Sequence, residues 1–170
     1  MKKLLSLTVF FTSMLLCMNL FAGGPAEEVK EIAGTPLKIL KSYDGVCHVS
    51  SEGLQQNSII TSNSEYYSFI KTIPRYEIGM GDMPKSKDPL LKKPRINFKK
   101  NMMIVIVNPD FFKYTGLKFI NVIKTGDDAV INYILKERTE AYNMQWPYGV
   151  SYYEAIVVEK IKGKIEFRKN

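Results

Sequence analysis

His48 is the only histidine of the chain, and Cys47 stands beside it. A thiolate activated by an imidazole would be a nucleophile. Adjacency argues against that chemistry. Residues 46–50 read as a strand, and successive side chains of a strand point to opposite faces. Cys47 is therefore expected as a small buried filler. A second pattern, Ser68-Phe69-Ile70-Lys71 with Lys124-Thr125-Gly126, has the spacing of a serine nucleophile activated by lysine. Its helical register places Ser68 and Lys71 opposite an apolar stripe, in water. No Ser-Asp-Asn separates the two motifs, and Lys124-Thr125-Gly126 reads as a strand end entering a turn. Gly79-Met80-Gly81 lacks the third glycine of a dinucleotide fingerprint. Asp127-Asp128 sits where a turn favours aspartate for local hydrogen bonding. One histidine and two cysteines do not suffice for a zinc site of the His/Cys type. The sequence thus leads us to expect no catalytic residue, no metal and no cofactor.

The elements around these residues read as α+β. Residues 37–41 and 46–50 are expected as two short strands joined by a turn at Tyr43-Asp44-Gly45. Residues 62–73 form a helix. Ser62 and Glu65 have capping-box spacing. Tyr66, Phe69, Ile70 and Ile73 fall on one face, and Pro74 stops the helix. Residues 75–94 make a long connection rich in Gly and Pro. Residues 102–107 are a continuous apolar run, suited to a strand covered on both faces. Residues 117–124 and 129–137 flank Thr125-Gly126-Asp127-Asp128 as a hairpin, with Ala129, Ile131, Tyr133 and Leu135 on one face. Residues 152–160 and 164–168 are expected as a last hairpin around Lys162-Gly163, with Ile165 and Phe167 on its covered face. The predicted architecture is a mostly antiparallel sheet, in a sandwich or partly open barrel, with one amphipathic helix packed on it.

Compartment follows from the first 22 residues. Lys2 and Lys3 precede an uncharged apolar run to Met18, and Asn19-Leu20-Phe21-Ala22 leads into Gly23. That is the layout of a signal peptide cleaved near Ala22, and the run is shorter than the ~20 residues of a spanning helix. A secreted or periplasmic protein is expected. It has 1–22 as signal, 23–36 as a flexible entry segment and 37–170 as one β-rich domain. Lipid attachment at Cys17 is the alternative, disfavoured by the bulk of Leu16. With Cys17 removed, Cys47 has no intramolecular partner, so the core alone must hold the fold. The net charge of +7 loses two with the signal. The remainder reads as a solvated basic surface, with contact to anionic lipid, cell-wall polymer or an acidic partner as the alternative, outside the cytoplasm and away from nucleic acid.

Two surfaces stand out. Residues 85–100 carry Lys85, Lys87, Lys92, Lys93, Arg95, Lys99 and Lys100 against Asp88 alone. They form either a solvated loop or a contact for an anionic surface. Residues 142–153 hold Trp146, the only tryptophan, among four tyrosines. Trp146 either anchors a partner or seals the core.

From Ile96 to Phe167 the chain resembles the PrcB C-terminal-type domain, a family of protease-complex accessory proteins. The resemblance is carried by Ile96-Asn97-Phe98 ahead of an apolar strand, by Tyr114-Thr115-Gly116, by a loop reaching Trp146-Pro147-Tyr148, and by Ile156-Val157-Val158 before a closing strand. Leu117 stands where that family has a second glycine. The resemblance implies an exported, non-enzymatic accessory protein that assists maturation or stability of a partner, such as a protease. Thr115-Gly116 between strands is also similar to chagasin-type protease inhibitors, although the Gly-rich loop of that family is missing. A structural envelope protein is a third reading. The candidate contact residues are Tyr114, Thr115, Gly116, Trp146, Pro147 and Tyr148.

Overall fold

Two strands with apolar side chains on both faces dictate the layering. A computed structural model of the chain describes residues 33–48, 57–77, 84–108, 113–139 and 149–170. Residues 1–22, expected as a signal peptide, and Trp146-Pro147-Tyr148 lie outside the described residues. Strand β4 (Asn101–Val107) pairs antiparallel with β7 (Val150–Glu159) at the centre of one sheet. That sheet is flanked by β2 (Lys41–His48) and β3 (Asn57–Ile60), in the order β2-β7-β4-β3. A second sheet has the order β1-β5-β6-β8, from β1 (Thr35–Pro36), β5 (Tyr114–Thr125), β6 (Asp128–Glu137) and β8 (Ile165–Lys169). Every pairing is antiparallel except β6 with β8.

Alternation along β4 and β7 then builds two cores. Met102, Ile104, Ile106, Ile156 and Val158 meet Phe119, Val122, Ile131 and Leu135 of the second sheet. Met103, Val105, Val107, Tyr153, Ala155 and Val157 meet the helix α1 (Asn63–Ile70) and the 3-10 turn Pro89–Lys92 on the opposite face. The result is a sandwich with an outer helical layer. It explains why β4 is a continuous apolar run: neither of its faces sees water.

Several expectations hold at the level of single residues. Ser62 caps α1 in a complete capping box with Glu65. Tyr66, Phe69, Ile70 and Ile73 are buried, and Ser68 and Lys71 are exposed. Ala129, Ile131, Tyr133 and Leu135 share the face turned to the inter-sheet core. Gly126, with φ of 65°, makes the turn between β5 and β6.

Three local expectations fail. Residues 37–40 are not in a strand, since strand pairing stops at Pro36 and resumes only at Lys41. Tyr43-Asp44-Gly45 is not a turn. β2 runs through it unbroken, every residue paired with β7. Gly45 answers a different need: a Cβ there would collide with the Asp88 carboxylate and press on Tyr153. Nor do β7 and β8 form a hairpin. β7 has apolar residues on both faces and lies inside the first sheet. Ile161, buried in the inter-sheet core, carries the chain across to the second sheet. There β8 lies parallel to β6, placed by Gly163 N–H donating to Asp127 O (2.8 Å) and Lys164 N–H to the Asp128 carboxylate (2.7 Å). The entry segment also contributes structure, since Thr35 and Pro36 pair with Lys124 and Ile123.

One polar group ties the sheets together through the core. Between Phe119 and Asn121 the register of β5 shifts, and the Phe119 N–H donates to Glu154 Oε2 at 2.8 Å. Burial holds the Glu154 carboxyl above its ordinary range, partly offset by that hydrogen bond. A raised folded-state value means that ionisation of Glu154 opposes folding. Its contribution is full below the ordinary carboxylate range and is lost as pH rises through the folded value. Glu154→Gln keeps the acceptor and removes the charge. Measured by urea unfolding, this variant should gain stability relative to wild type as pH rises from about 4 to about 7. A constant difference across that range would show that Glu154 does not titrate in this window.

Candidate functional site

The helical layer leaves a groove at the corner where α1 ends. Its construction starts with α1. After Ile70 the chain tightens: Thr72 N–H donates to Phe69 O (2.9 Å) and Ile73 N–H to Ile70 O (3.1 Å). His48 N–H donates to Thr72 O at 2.7 Å, fastening this turn to the end of β2. Beyond Pro74, residues 75–77 run antiparallel to residues 84–86, with Ser86 N–H donating to Arg75 O and Glu77 N–H to Pro84 O, both 2.8 Å.

The far wall is the stretch 88–94, which is pinned at both ends. At one end both Asp88 oxygens accept the Tyr153 hydroxyl at 2.9 Å, Oδ1 also accepts Leu90 N–H at 2.9 Å, and the carboxylate takes the Val46 N–H as well. Burial raises the Asp88 carboxyl despite these donors and, with the Asp88 charge, holds the Tyr153 hydroxyl protonated. At the other end the Tyr66 hydroxyl donates to Pro94 O (3.1 Å). Leu90 is driven into the core between the pins. Lys93 is left in the left-handed region, φ 52° and ψ 55°, where a side chain costs about 1–2 kcal/mol.

Ile70, Ile73, Pro74 and Leu91 make the apolar floor of this groove, Tyr67 stands on its rim, and its volume is about 860 Å³. Lys71, Arg75 and Lys93 supply the charge of the rim, which His48 completes, with no carboxylate among the described lining residues. None of Lys71, Arg75 and Lys93 forms an ion pair among the described residues. A smaller cleft of about 390 Å³ lies across Pro74, beside Asp44, Glu77, Lys87 and Asp88. Its charges already answer one another: Lys87 approaches Glu77 at 3.9 Å, and Asp88 is taken by Tyr153 and Leu90. Among the described residues, the larger groove is the one with unanswered charge.

The basic stretch 85–100 is thus split by the fold. Lys93 joins Lys71 and Arg75 at the groove, while Lys87 serves the neighbouring ribbon. Sequence reasoning missed Lys71, Arg75 and His48 as partners of Lys93, because they come together only through the Thr72–His48 and Asp88–Tyr153 bonds. Asp88-Pro89 signals the tight turn that Asp88 caps through Leu90 N–H, but not its bond to Tyr153.

Among the residues singled out for contact, Tyr114 opens β5 and is buried. Its hydroxyl accepts from Lys169 Nζ at 3.1 Å, and that ammonium with Lys113 brings the phenol below its ordinary value. Thr115 is exposed at a register shift of β5, and its hydroxyl donates to Lys136 O at 3.3 Å. Gly116 pairs with Lys136 and has room for a side chain, so no close approach requires glycine there. Asn108 binds this corner together, its amide donating to Tyr114 O (3.2 Å) and its carbonyl accepting from Ser151 Oγ (2.7 Å). The head of β5 and the start of β7 therefore lie at one end of the sandwich.

The nucleophile patterns separate as the sequence implied. Cys47 is buried and His48 exposed on the opposite face. Burial, reinforced by the Asp88 charge, pushes the Cys47 thiol up to about 12, far from thiolate chemistry. Ser68 and Lys71 face solvent, and Lys124 lies on the second sheet. Among the described residues no three metal-ligating side chains converge, and no helix is long and apolar enough to cross a membrane. No family model, no curated protein and no solved structure matches the chain.

Proposed function

We propose that this chain is an exported accessory protein that binds another secreted or envelope protein and performs no chemistry on it. The groove supports this reading: three cations without an ion-pair partner among the described residues stand around an apolar floor, and the chain tolerates a strained Lys93 to present one of them. Strain of that kind persists where the surrounding structure over-determines it, and it concentrates at binding sites. The same reading agrees with the PrcB-like resemblance of residues 96–167 and with the signal-like residues 1–22. In this scheme the sandwich is a rigid support, and the helical layer is the part that meets the partner.

A protease inhibitor of the chagasin kind is the second reading. The observation in its favour is the shared corner at Asn108, which brings exposed Thr115 to the end of the sandwich where β7 begins.

Affinity capture from the native cell envelope tests the first reading against the second. The chain from Gly23 onward is the bait, beside a Lys71→Glu/Arg75→Glu variant and a Thr115→Arg variant. The accessory reading expects a partner that the groove variant loses and the Thr115 variant retains. The converse result transfers the site to the sandwich end. The native protein recovered from its own cell envelope should begin near Gly23 on N-terminal sequencing, and an intact Met1 would contradict export.

A further inference from the structure

We infer that the groove takes an acidic peptide segment of its partner, one bulky apolar side chain seated on Ile70, Ile73 and Leu91 with carboxylates on either side of it. This rests on the accessory reading above and names the chemistry of its partner.

The apolar floor decides the anchor. Ile70 and Ile73 are buried from below by the core and contribute only their upper edges, while Leu91 is half-buried and Tyr67 is largely exposed on the rim. That surface is small, enough for one leucine or phenylalanine rather than a long acyl chain. Apolar area of this kind drives association in proportion to what it removes from water.

The charges decide the flanks. Lys71 and Arg75 come from the stretch after α1 and Lys93 from the 88–94 wall, so the cations line the groove from two stretches of chain. A peptide lying along the floor meets them with side chains on each side. Arginine suits paired recognition of a carboxylate, and lysine acts there as a point charge. A flat anionic membrane fits less well. Rim cations could touch a plane, but the apolar floor beneath them would stay empty. Polar residues also form so much of the lining that a fatty acid would leave its tail beside charge.

Lys93 supplies the sharpest test, because its stability and binding roles pull apart. Glycine has no steric penalty at φ 52°. Lys93→Gly should fold with a melting temperature at least as high as wild type, yet bind less well.

The experiment uses fluorescence anisotropy with the chain from Gly23 onward. The probe is a labelled twelve-residue peptide of Glu and Gly with one central Phe. Controls replace the Phe by Ala, or every Glu by Gln. Vesicles with and without phosphatidylglycerol form a separate arm. The inference expects binding by the Glu/Phe peptide, weakened roughly tenfold or more by either peptide change and by Lys93→Gly or Arg75→Glu, each such step being about 1.4 kcal/mol. Peptide binding that is indifferent to the central Phe overturns the anchor. Binding only to phosphatidylglycerol vesicles, lost in the same variants, overturns the peptide in favour of a lipid. If no peptide binds while capture of the native partner still depends on Lys71 and Arg75, the peptide chemistry is wrong and the accessory reading stands. If capture is also indifferent to them, both fall.

Discussion

Gly45→Ala should cost nearly as much stability as Asp88→Ala, and the two together should cost little more than either alone. Asp88 accepts from the buried Tyr153 hydroxyl, from Leu90 N–H and from Val46 N–H. Removing the carboxylate strands those donors, at about 1–3 kcal/mol for each one left buried without a partner. Part of this is recovered by water, because the 88–94 stretch can lift, so the expected loss is about 3 kcal/mol. A domain of this size then loses roughly 10 °C in Tm. Alanine at position 45 reaches the same end by steric means, since its Cβ would overlap Asp88 Oδ2 and crowd the Tyr153 ring. Both substitutions break one pin, so the double variant should fall short of additivity by at least about 1 kcal/mol. Denaturant unfolding of the four proteins measures this directly. Additive losses would mean that Gly45 matters for something other than Asp88. Because the pin also sets the position of Leu91 and Lys93, both single variants should weaken whatever binds the groove.

This pin marks the limit of what the sequence makes legible. Periodicity and caps are local, and they report local structure well. The Ser62–Glu65 box, the stripe Tyr66, Phe69, Ile70 and Ile73, and the doubly covered strand β4 all follow from neighbours in the chain. Gly45 looks like a turn residue because glycine after aspartate is usually one. Its real constraint comes from Asp88, 43 positions away, and no local rule contains it. The same holds for β8. Its alternation shows that one face is covered, but not that the cover is β6 in parallel. The groove is less legible still. Its rim residues His48, Lys71, Arg75 and Lys93 come from three stretches of chain, each unremarkable alone, and the tertiary bonds through Thr72 and Tyr153 bring those stretches to one rim.

The second large effect belongs to Phe69. Its ring is buried and meets the Tyr153 ring edge-on, with centroids 5.2 Å apart and planes at 89°. Phe69→Ala removes a whole aromatic from a core bounded on one side by the rigid strands β4 and β7, which limits how far the site can collapse. The expected cost is about 3–5 kcal/mol, of which the edge-on contact accounts for ~0.5–1.5 kcal/mol. Ser68→Ala, one residue earlier and exposed, should stay within about 0.5 kcal/mol. Phe69→Leu should lie between them, because it keeps most of the volume and loses the ring contact. Tyr153 is shared by the Phe69 contact and the Asp88 pin. Phe69→Ala and Asp88→Ala should therefore couple through that ring, with a non-additive part of about 0.5 kcal/mol or more. Independent losses would show that the helix and the 88–94 wall are held separately. Coupled losses would make Tyr153 the common support of both sides of the groove, so that a partner seated there senses the core of the sandwich through one side chain.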